Sequence, residues 1–332
     1  MLTKIYLWKN RIKAKIISRL VTKYTLAIYK RVAIEGIGSD ACLKEGFLPV
    51  PVHYYSPIPD IFDLSKRKIW DKKSNLTGVN FNEKTQIAFL HELGKKYAKE
   101  CDWPLKPTKN PADYFVDNQG FSYGCAAALH SMIRHYKPKR VIEIGSGNSS
   151  QVIAAALSIN KMKDHQKSKY IIVDPYPTHY LAKRPGRSGY YSQLLKQKVE
   201  LLDPKFFDQL DKNDILFIDS GHTVRIGGDV NFLFLEVLPR LKPGVVVHIH
   251  DIALPYEYPK VYATNEVFRQ FWTEQYLLQS FLIFNPTFEV LLAMNYIQTD
   301  HKKDFEKAFP LYDLKIHIFS SGSFWIRRKV KE

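Results

Sequence analysis

The amino-acid order predicts an α/β fold: a mostly parallel sheet covered by helices on both faces. Three observations carry that expectation. From residue 140 onward, short apolar runs alternate with helix-like stretches, the pattern of strands buried on both sides. One of these runs, RVIEIGSGNSS at 140–150, stops on an acid and turns through two glycines directly into a helix. Glycine permits positive φ and close approach, and a helix N-terminus attracts electron-rich groups, so this stretch reads as a ligand-binding turn. Finally, the last two strand-like runs, FEVLLAMNYI and GSFWIRRK, have no strong helical pattern between them. They can pair antiparallel at the sheet edge. A chain of 332 residues allows one catalytic-sized domain with additions.

The elements follow in order. Residues 1–33 hold nine Lys or Arg and no acid, leaving +7 for the remainder of a net charge of +16. Ile5, Trp8, Ile12, Ile16, Leu20, Tyr24 and Ile28 recur at three- and four-residue steps, an apolar stripe on a helix with cationic flanks. Such a helix either lies on an anionic membrane surface or packs on its own domain. Nucleic acid is a weaker option, because charge alone carries no groove-reading motif. Lysines interrupt the apolar stretch, which argues against a cleaved secretory signal. Residues 36–80, rich in Gly, Pro, Asp and Asn, read as an extended arm. A helix is expected over 82–100 with Asn82 as its cap, and another over Ser122–Tyr136, stopped by Pro138. RVIEI, KYIIVD, DILFIDS and GVVVHIHDI read as strands, and SSQVIAAALSINKM, DVNFLFLEVLPRL and NEVFRQFWTEQYLLQSFLIF as helices. The expected organisation is a basic amphipathic helix at 1–35, an arm and lid region at 36–120, and the main domain at 121–332.

Composition narrows the class. Hydrophobic content of 45% with 14% aromatics is globular, and no run approaches the roughly 18 to 20 apolar residues of a membrane span. Cys42, Cys101 and Cys125 are widely spaced and form no CxxC pair, which suggests neither a disulfide framework nor a thiolate zinc site. A reducing cytoplasm fits, with the inner membrane face as a peripheral location.

Over residues 121–332 the chain resembles the class I S-adenosylmethionine-dependent methyltransferases. EIGSG is similar to that family's first motif, and IIVDPYP, LFIDSGH and VVVHIHDI fall where its second, fourth and fifth strands end. FIDSGHT together with LPRLKPGVVVHIHDI resembles a bacterial branch associated with glycans and secondary metabolites. The resemblance implies a Rossmann-like, seven-stranded sheet whose last strand is antiparallel. A nicotinamide dinucleotide fold is the rival, but Ser150 stands where GxGxxG needs its third glycine. Glu143 beside the turn would also repel a pyrophosphate, whereas it suits a positively charged sulfonium ligand.

By resemblance, Glu143, Gly145, Ser146 and Gly147 contact or shape the donor's methionine pocket. Asp174 resembles the acid that accepts from the ribose hydroxyls, a task a carboxylate suits because it can accept from two hydroxyls at once. Asp203 is a candidate adenine contact, with helix capping as its alternative. Asp219 and His222 follow the fourth strand, and His250 and Asp251 close the fifth, so all four can gather at the carboxyl end of the sheet above the donor's methyl group. His222, His250 and Asp251 are the catalytic candidates: methyl transfer needs alignment and, for a hydroxyl acceptor, removal of a proton, which histidine suits. Alternatively Asp219, His250 and Asp251 hold Mg²⁺ that acidifies the acceptor. Tyr256 and Tyr258, in a loop bounded by prolines, offer aromatic faces to a sugar ring, and Arg184 and Arg187 offer grips for a phosphate or carboxylate. YFVDNQGFS at 114–122 reads as a lid. The expected activity is transfer of a methyl group to an oxygen of a sugar, glycan or glycolipid precursor. A dinucleotide-dependent oxidoreductase or epimerase and a non-catalytic membrane-docked binding protein are the alternatives.

Overall fold

The computed structural model describes residues 23–177, 191–266, 269–312 and 320–330. Its centre is a seven-stranded sheet: β1 (Arg140–Ile144), β2 (Lys169–Val173), β3 (Gln193–Leu195), β4 (Ile215–Ile218), β5 (Val246–Ile249), β6 (Phe288–Ala293) and β7 (Phe324–Arg328). The spatial order is β3-β2-β1-β4-β5-β7-β6. Neighbours from β3 to β5 are parallel, while β7 runs antiparallel to both β5 and β6. β1 and β4, at the middle, are buried from Val141 and Ile215 on, as apolar strands covered on both faces must be. The antiparallel pairing of the last two strands is as expected, with a bulge between Val290 and Leu292.

Two compact units divide the chain, one of residues 1–73 with 257–271, the other of Ser74–Tyr256 with Trp272–Glu332. The boundary of the main unit therefore falls at residue 74 and not at 121. The reason is the helix Glu83–Tyr97, which packs against β6 and against the helices Tyr123–Tyr136 and Lys302–Ala308. Its Gln86 is fully buried: Oε1 accepts from Ala293 N at 2.7 Å, and Nε2 donates to the carbonyl of Phe81. Asn82 does occupy the cap position, but in a left-handed conformation (φ 50°) and without a capping bond; its amide reaches the carbonyl of Val290 at 3.4 Å instead. Ser122, by contrast, caps its helix by accepting from Cys125 N at 3.4 Å.

Several elements differ from expectation. FEVLLAMNYI splits at Ala293, giving strand and then the helix Met294–Asp300, which Lys302–Ala308 follows. The long helix expected over 265–284 is helical only at Glu274–Leu282 among its described residues. DVNFLFLEVLPRL is a turn of α-helix, a π-helical stretch at Phe232–Val237 and a 3₁₀ turn closed at Pro239, whose ring cannot continue a regular ladder. In the smaller unit, residues 36–73 are not uniformly extended: short helices span Ser39–Lys44 and Ile61–Lys66. Asp60 caps the second, accepting from Phe62 N at 2.9 Å and Asp63 N at 3.2 Å. Of the basic N-terminal helix, Lys23–Glu35 is helical; residues 1–22 lie outside the described residues.

Candidate active site

β1 ends on the acid that opens the glycine turn. Glu143 is fully buried, and three hydroxyls close on it: Ser149 Oγ donates to Oε1 and Ser150 Oγ to Oε2, each at 2.7 Å, and the Tyr170 hydroxyl also donates to Oε2. Burial pushes the Glu143 carboxyl up to about 7, against the hydroxyls that favour its charge. It therefore ties the turn to the first turn of the helix Asn148–Asp164 and to β2. That is a shaping role.

Gly145 and Gly147 differ in kind. Gly145 has φ 80°, and a Cβ there would stand 1.8 Å from the Asp219 carbonyl oxygen, so the ends of β1 and β4 abut. Gly147 has φ −179°, extended backbone open to any residue, and a Cβ on it would meet nothing within 4 Å. Neither backbone nor neighbour requires glycine there, and the position stands open at the helix N-terminus. Beside it, Asp174 Oδ2 accepts from Ser146 N at 2.8 Å and from Ser146 Oγ, and Oδ1 accepts from Tyr176 N at 2.7 Å. A carboxylate has about four acceptor sites, so Asp174 keeps one for a further donor.

Across the turn, β4 and β5 deliver the second cluster. Asp219 N donates to Ile144 O at 2.9 Å, holding the acid next to the turn. His222 Nε2 lies 3.2 Å from Asp219 Oδ1 and 3.5 Å from Asp251 Oδ2, while its Nδ1 lies 2.8 Å from Glu274 Oε2. Its ring packs against Trp272 at 4.6 Å between centroids. His222 and Asp251 both adopt left-handed backbone, φ 53° and 55°. Such strained residues gather where the surroundings over-determine them. Burial opposes charge on His222, but hydrogen bonds with Asp219 and Glu274 prevail and hold the imidazolium well above the usual histidine range. Burial likewise opposes charge on Asp219, yet the facing His250 and His222 keep its carboxyl below the ordinary range.

His250 sits one layer deeper. It is buried, stacked on Phe121 at 4.8 Å, with Nδ1 3.5 Å from His248 Nε2. His248 stacks on Phe217 at 4.1 Å, and its Nε2 lies 3.1 Å from Ser323 Oγ. Burial and the neighbouring His250 hold His248 well below the usual histidine range, so it is neutral. Among the described residues, Asp219, His222 and Asp251 are the three groups whose ligand atoms lie within 4.8 Å of one another. The expected third member, His250, is not in this group: its Nε2 lies 3.8 Å from Asp251 Oδ1 and its ring is stacked on Phe121, while His222 stands between the two carboxylates.

Other expected residues fall outside this cluster. Asp203 is exposed and caps the 3₁₀ turn Pro204–Gln209 by accepting from Lys205 N at 2.9 Å, the alternative held open for it. The Tyr256 hydroxyl donates to Asp300. Tyr258 is buried, leaving its ring little surface for a sugar. Arg184 and Arg187 lie outside the described residues. The expected lid is knitted down: Asn118 Oδ1 accepts from Gly120 N, Phe121 N and Asn148 Nδ2, and the Tyr114 hydroxyl donates to Phe121 O at 2.8 Å. Sequence reading missed Glu274. It carries no motif, and its lone signal is an acid early in an apolar helix, which more often marks a helix start.

A glycine turn after β1, an acid ending β2, and a sheet ordered 3-2-1-4-5-7-6 with β7 antiparallel define the class I S-adenosylmethionine-dependent methyltransferase fold. Residues 142–252 match a family model described as a methyltransferase domain. An uncharacterized protein of Archaeoglobus fulgidus is 34% identical over 171 residues, spanning 50% of this chain and 75% of that protein. The chain belongs to the family of that archaeal protein, and its fold is that of the S-adenosylmethionine-dependent methyltransferases. This displaces the dinucleotide alternative. Among solved structures, a Podospora anserina methyltransferase bound to S-adenosylhomocysteine is 16% identical, covering 73% of this chain and 88% of that one at a TM-score of 0.37. A loganic acid methyltransferase with S-adenosylhomocysteine is 12% identical, covering 69% and 99% at a TM-score of 0.31. Overlays this loose add nothing to what the strand order shows. No helix among the described residues is long and apolar enough to cross a membrane.

Proposed function

We propose that this enzyme methylates an oxygen of a sugar, glycan or glycolipid precursor, with Gly145, Ser146, Gly147 and Asp174 receiving the donor and His222 serving the acceptor. The observation that carries the reading is the convergence of Asp219, His222 and Asp251 immediately beside the glycine turn. In-line displacement at the methyl carbon needs the acceptor oxygen held opposite the sulfur and relieved of its proton; His222, held as an imidazolium by Asp219 and Glu274, first gives its own proton to solvent and then takes the acceptor's. Asp219 and Asp251 flank the imidazole edge that faces the cluster, and Glu274 fixes the opposite edge, so the ring is oriented before any acceptor arrives. Residues 1–33 bring the enzyme to an anionic membrane face, where a glycolipid precursor would be met.

The same trio supports a metal-assisted version. The donor set fits a divalent ion: two carboxylates and one imidazole converge, and Glu274 on Nδ1 is the outer carboxylate that typically orients a ligating histidine. A nitrogen ligand moves the preference from Mg²⁺ towards Mn²⁺, Fe²⁺ or Zn²⁺. Bound there, the ion would acidify an acceptor hydroxyl.

Calorimetric titration with S-adenosylhomocysteine and turnover, read as S-adenosylhomocysteine release across sugar nucleotides and lipid-linked sugars, test the reading. His222→Ala should leave donor-product affinity intact and abolish turnover. Asp174→Ala should weaken that affinity roughly ten- to a hundredfold, as loss of a charged hydrogen-bond acceptor does. A His222→Ala enzyme that still turns over would move the chemistry elsewhere.

A further inference from the structure

The described N-terminal part of the smaller unit buries none of its side chains. Not one residue from 25 to 73 is buried, although this stretch is rich in apolar and aromatic side chains. Half of the exposed large apolar side chains among the described residues fall within 26–62, including Ile34 (73% exposed), Val52 (56%), Tyr54 (88%), Tyr55 (82%) and Phe62 (83%). A monomer rarely leaves so much contiguous apolar chain to water unless it meets a partner.

The charge selects the partner. Residues 1–73 hold fifteen Lys or Arg against six Asp or Glu, so they carry +9 of the net +16. Lys66, Arg67 and Lys68 follow Phe62 on or just beyond the same short helix. A second copy would bring the same positive surface and be repelled. Nucleic acid would answer the charge but not the aliphatic side chains. An anionic bilayer answers both: cations sit at the headgroups while aromatic and aliphatic tips enter the acyl boundary. The paired rings of Tyr54 and Tyr55, 4.3 Å apart between centroids, form such a tip.

We infer that residues 34–73 are a membrane-inserting arm that docks the enzyme on an anionic lipid surface, with Tyr54, Tyr55 and Phe62 entering the bilayer. This extends, and rests on, the reading that residues 1–33 lie on such a surface: one apolar anchor alone binds marginally, and a second element makes the attachment stable. The same compact unit takes in residues 257–271, entered along the chain six residues after Asp251. The segment that follows the catalytic strand thus belongs with the docking arm, which favours a lipid-borne acceptor.

The test is sedimentation of the full chain with phosphatidylcholine vesicles, with and without an equal part of phosphatidylglycerol. The parent should bind only the anionic vesicles. The triple variant Tyr54→Ser, Tyr55→Ser, Phe62→Ser should lose roughly tenfold or more in partition, as apolar contacts of this size predict, with unchanged thermal unfolding and unchanged S-adenosylhomocysteine affinity. A variant with Lys9, Lys13 and Lys15 changed to Gln reads the N-terminal helix separately. If it loses binding while the triple variant keeps the parent's, the arm is overturned and the helix stands. A parent that ignores anionic vesicles, or whose dimer the triple variant dissolves, also overturns it. S-adenosylhomocysteine titration without vesicles reads the enzyme assignment on its own, so the two can fail independently.

Discussion

Gly145 and Gly147 stand in one turn and are glycine for different reasons, which makes them a matched pair of probes. Gly145→Ala must adopt left-handed backbone and collide with the Asp219 carbonyl; unfolding in urea should show a loss of roughly 3 kcal/mol or more. Gly147→Ala has no such conflict in the protein, so stability should hold within about 0.5 kcal/mol while S-adenosylhomocysteine affinity falls. Glu143 offers a pH probe. Its carboxyl titrates at about 7 in the fold against an ordinary 4.5, so between those values the folded state holds the extra proton. Stability should therefore fall as pH rises from about 4.5 to about 7, by up to roughly 3 kcal/mol. Glu143→Gln, neutral throughout, should flatten that slope in unfolding curves taken at pH 5 and pH 8. Reading the sequence placed the turn correctly because glycine and strand-to-helix spacing are local signals. It could not show that Ser149, Ser150 and Tyr170 consume the Glu143 oxygens, since Tyr170 arrives from another strand.

The helices owe their arrangement to buried polar ties as much as to apolar faces. Glu100 joins the 3₁₀ turn Ala98–Glu100 to two helices: Oε2 meets His130 Nε2 at 2.9 Å and accepts from Arg134 Nε at 2.8 Å, and Oε1 accepts from Lys163 at 2.9 Å. The hydrogen bond with His130 comes first among the causes that hold its carboxyl far below the usual range, prevailing with Arg134 and Lys163 over burial. A depressed carboxyl stabilises above its unfolded value and loses that contribution as pH falls. Glu100→Gln should accordingly cost roughly 3 kcal/mol at pH 7, as breaking a largely buried pair does, and the gap to the parent should narrow below pH 4.5. Urea midpoints across that range measure it. Elements with a single periodicity were legible, as at 123–136 and 148–164. Those where the period changes midway were not: Ala293 ends a strand and Met294 begins a helix within one apolar run, and hydrophobicity alone does not mark that switch.

At the scale of the molecule, the sheet and its carboxyl-end clusters make the donor the natural stabiliser of the fold. S-adenosylhomocysteine at a hundredfold excess over its Kd should add about 2.7 kcal/mol to unfolding, and NAD⁺ should add nothing, both read as shifts in thermal midpoint. The class was legible because strand order follows from right-handed crossovers between parallel strands, and the final antiparallel pair followed from the short connection. The division at residue 74 was not, because helix 83–97 is attached through partners distant in sequence: Gln86 accepts from Ala293, more than two hundred residues away, and Gly94 packs on Ala308. Nor was the position of His222 between Asp219 and Asp251 while His250 lies deeper, which depends on Phe121 covering one ring and Glu274 aiming the other.

β7 lies between β5 and β6, both of which leave the ribosome before it. Until residues 324–328 emerge, the nascent chain carries two unsatisfied sheet edges at Val246–Ile249 and Phe288–Ala293, each almost wholly apolar. Such edges recruit strands from other chains. Completion of the sheet thus waits on its last strand in chain order, and a ribosome stalled shortly before Phe324 would release a species prone to aggregation, however sound the strands already made.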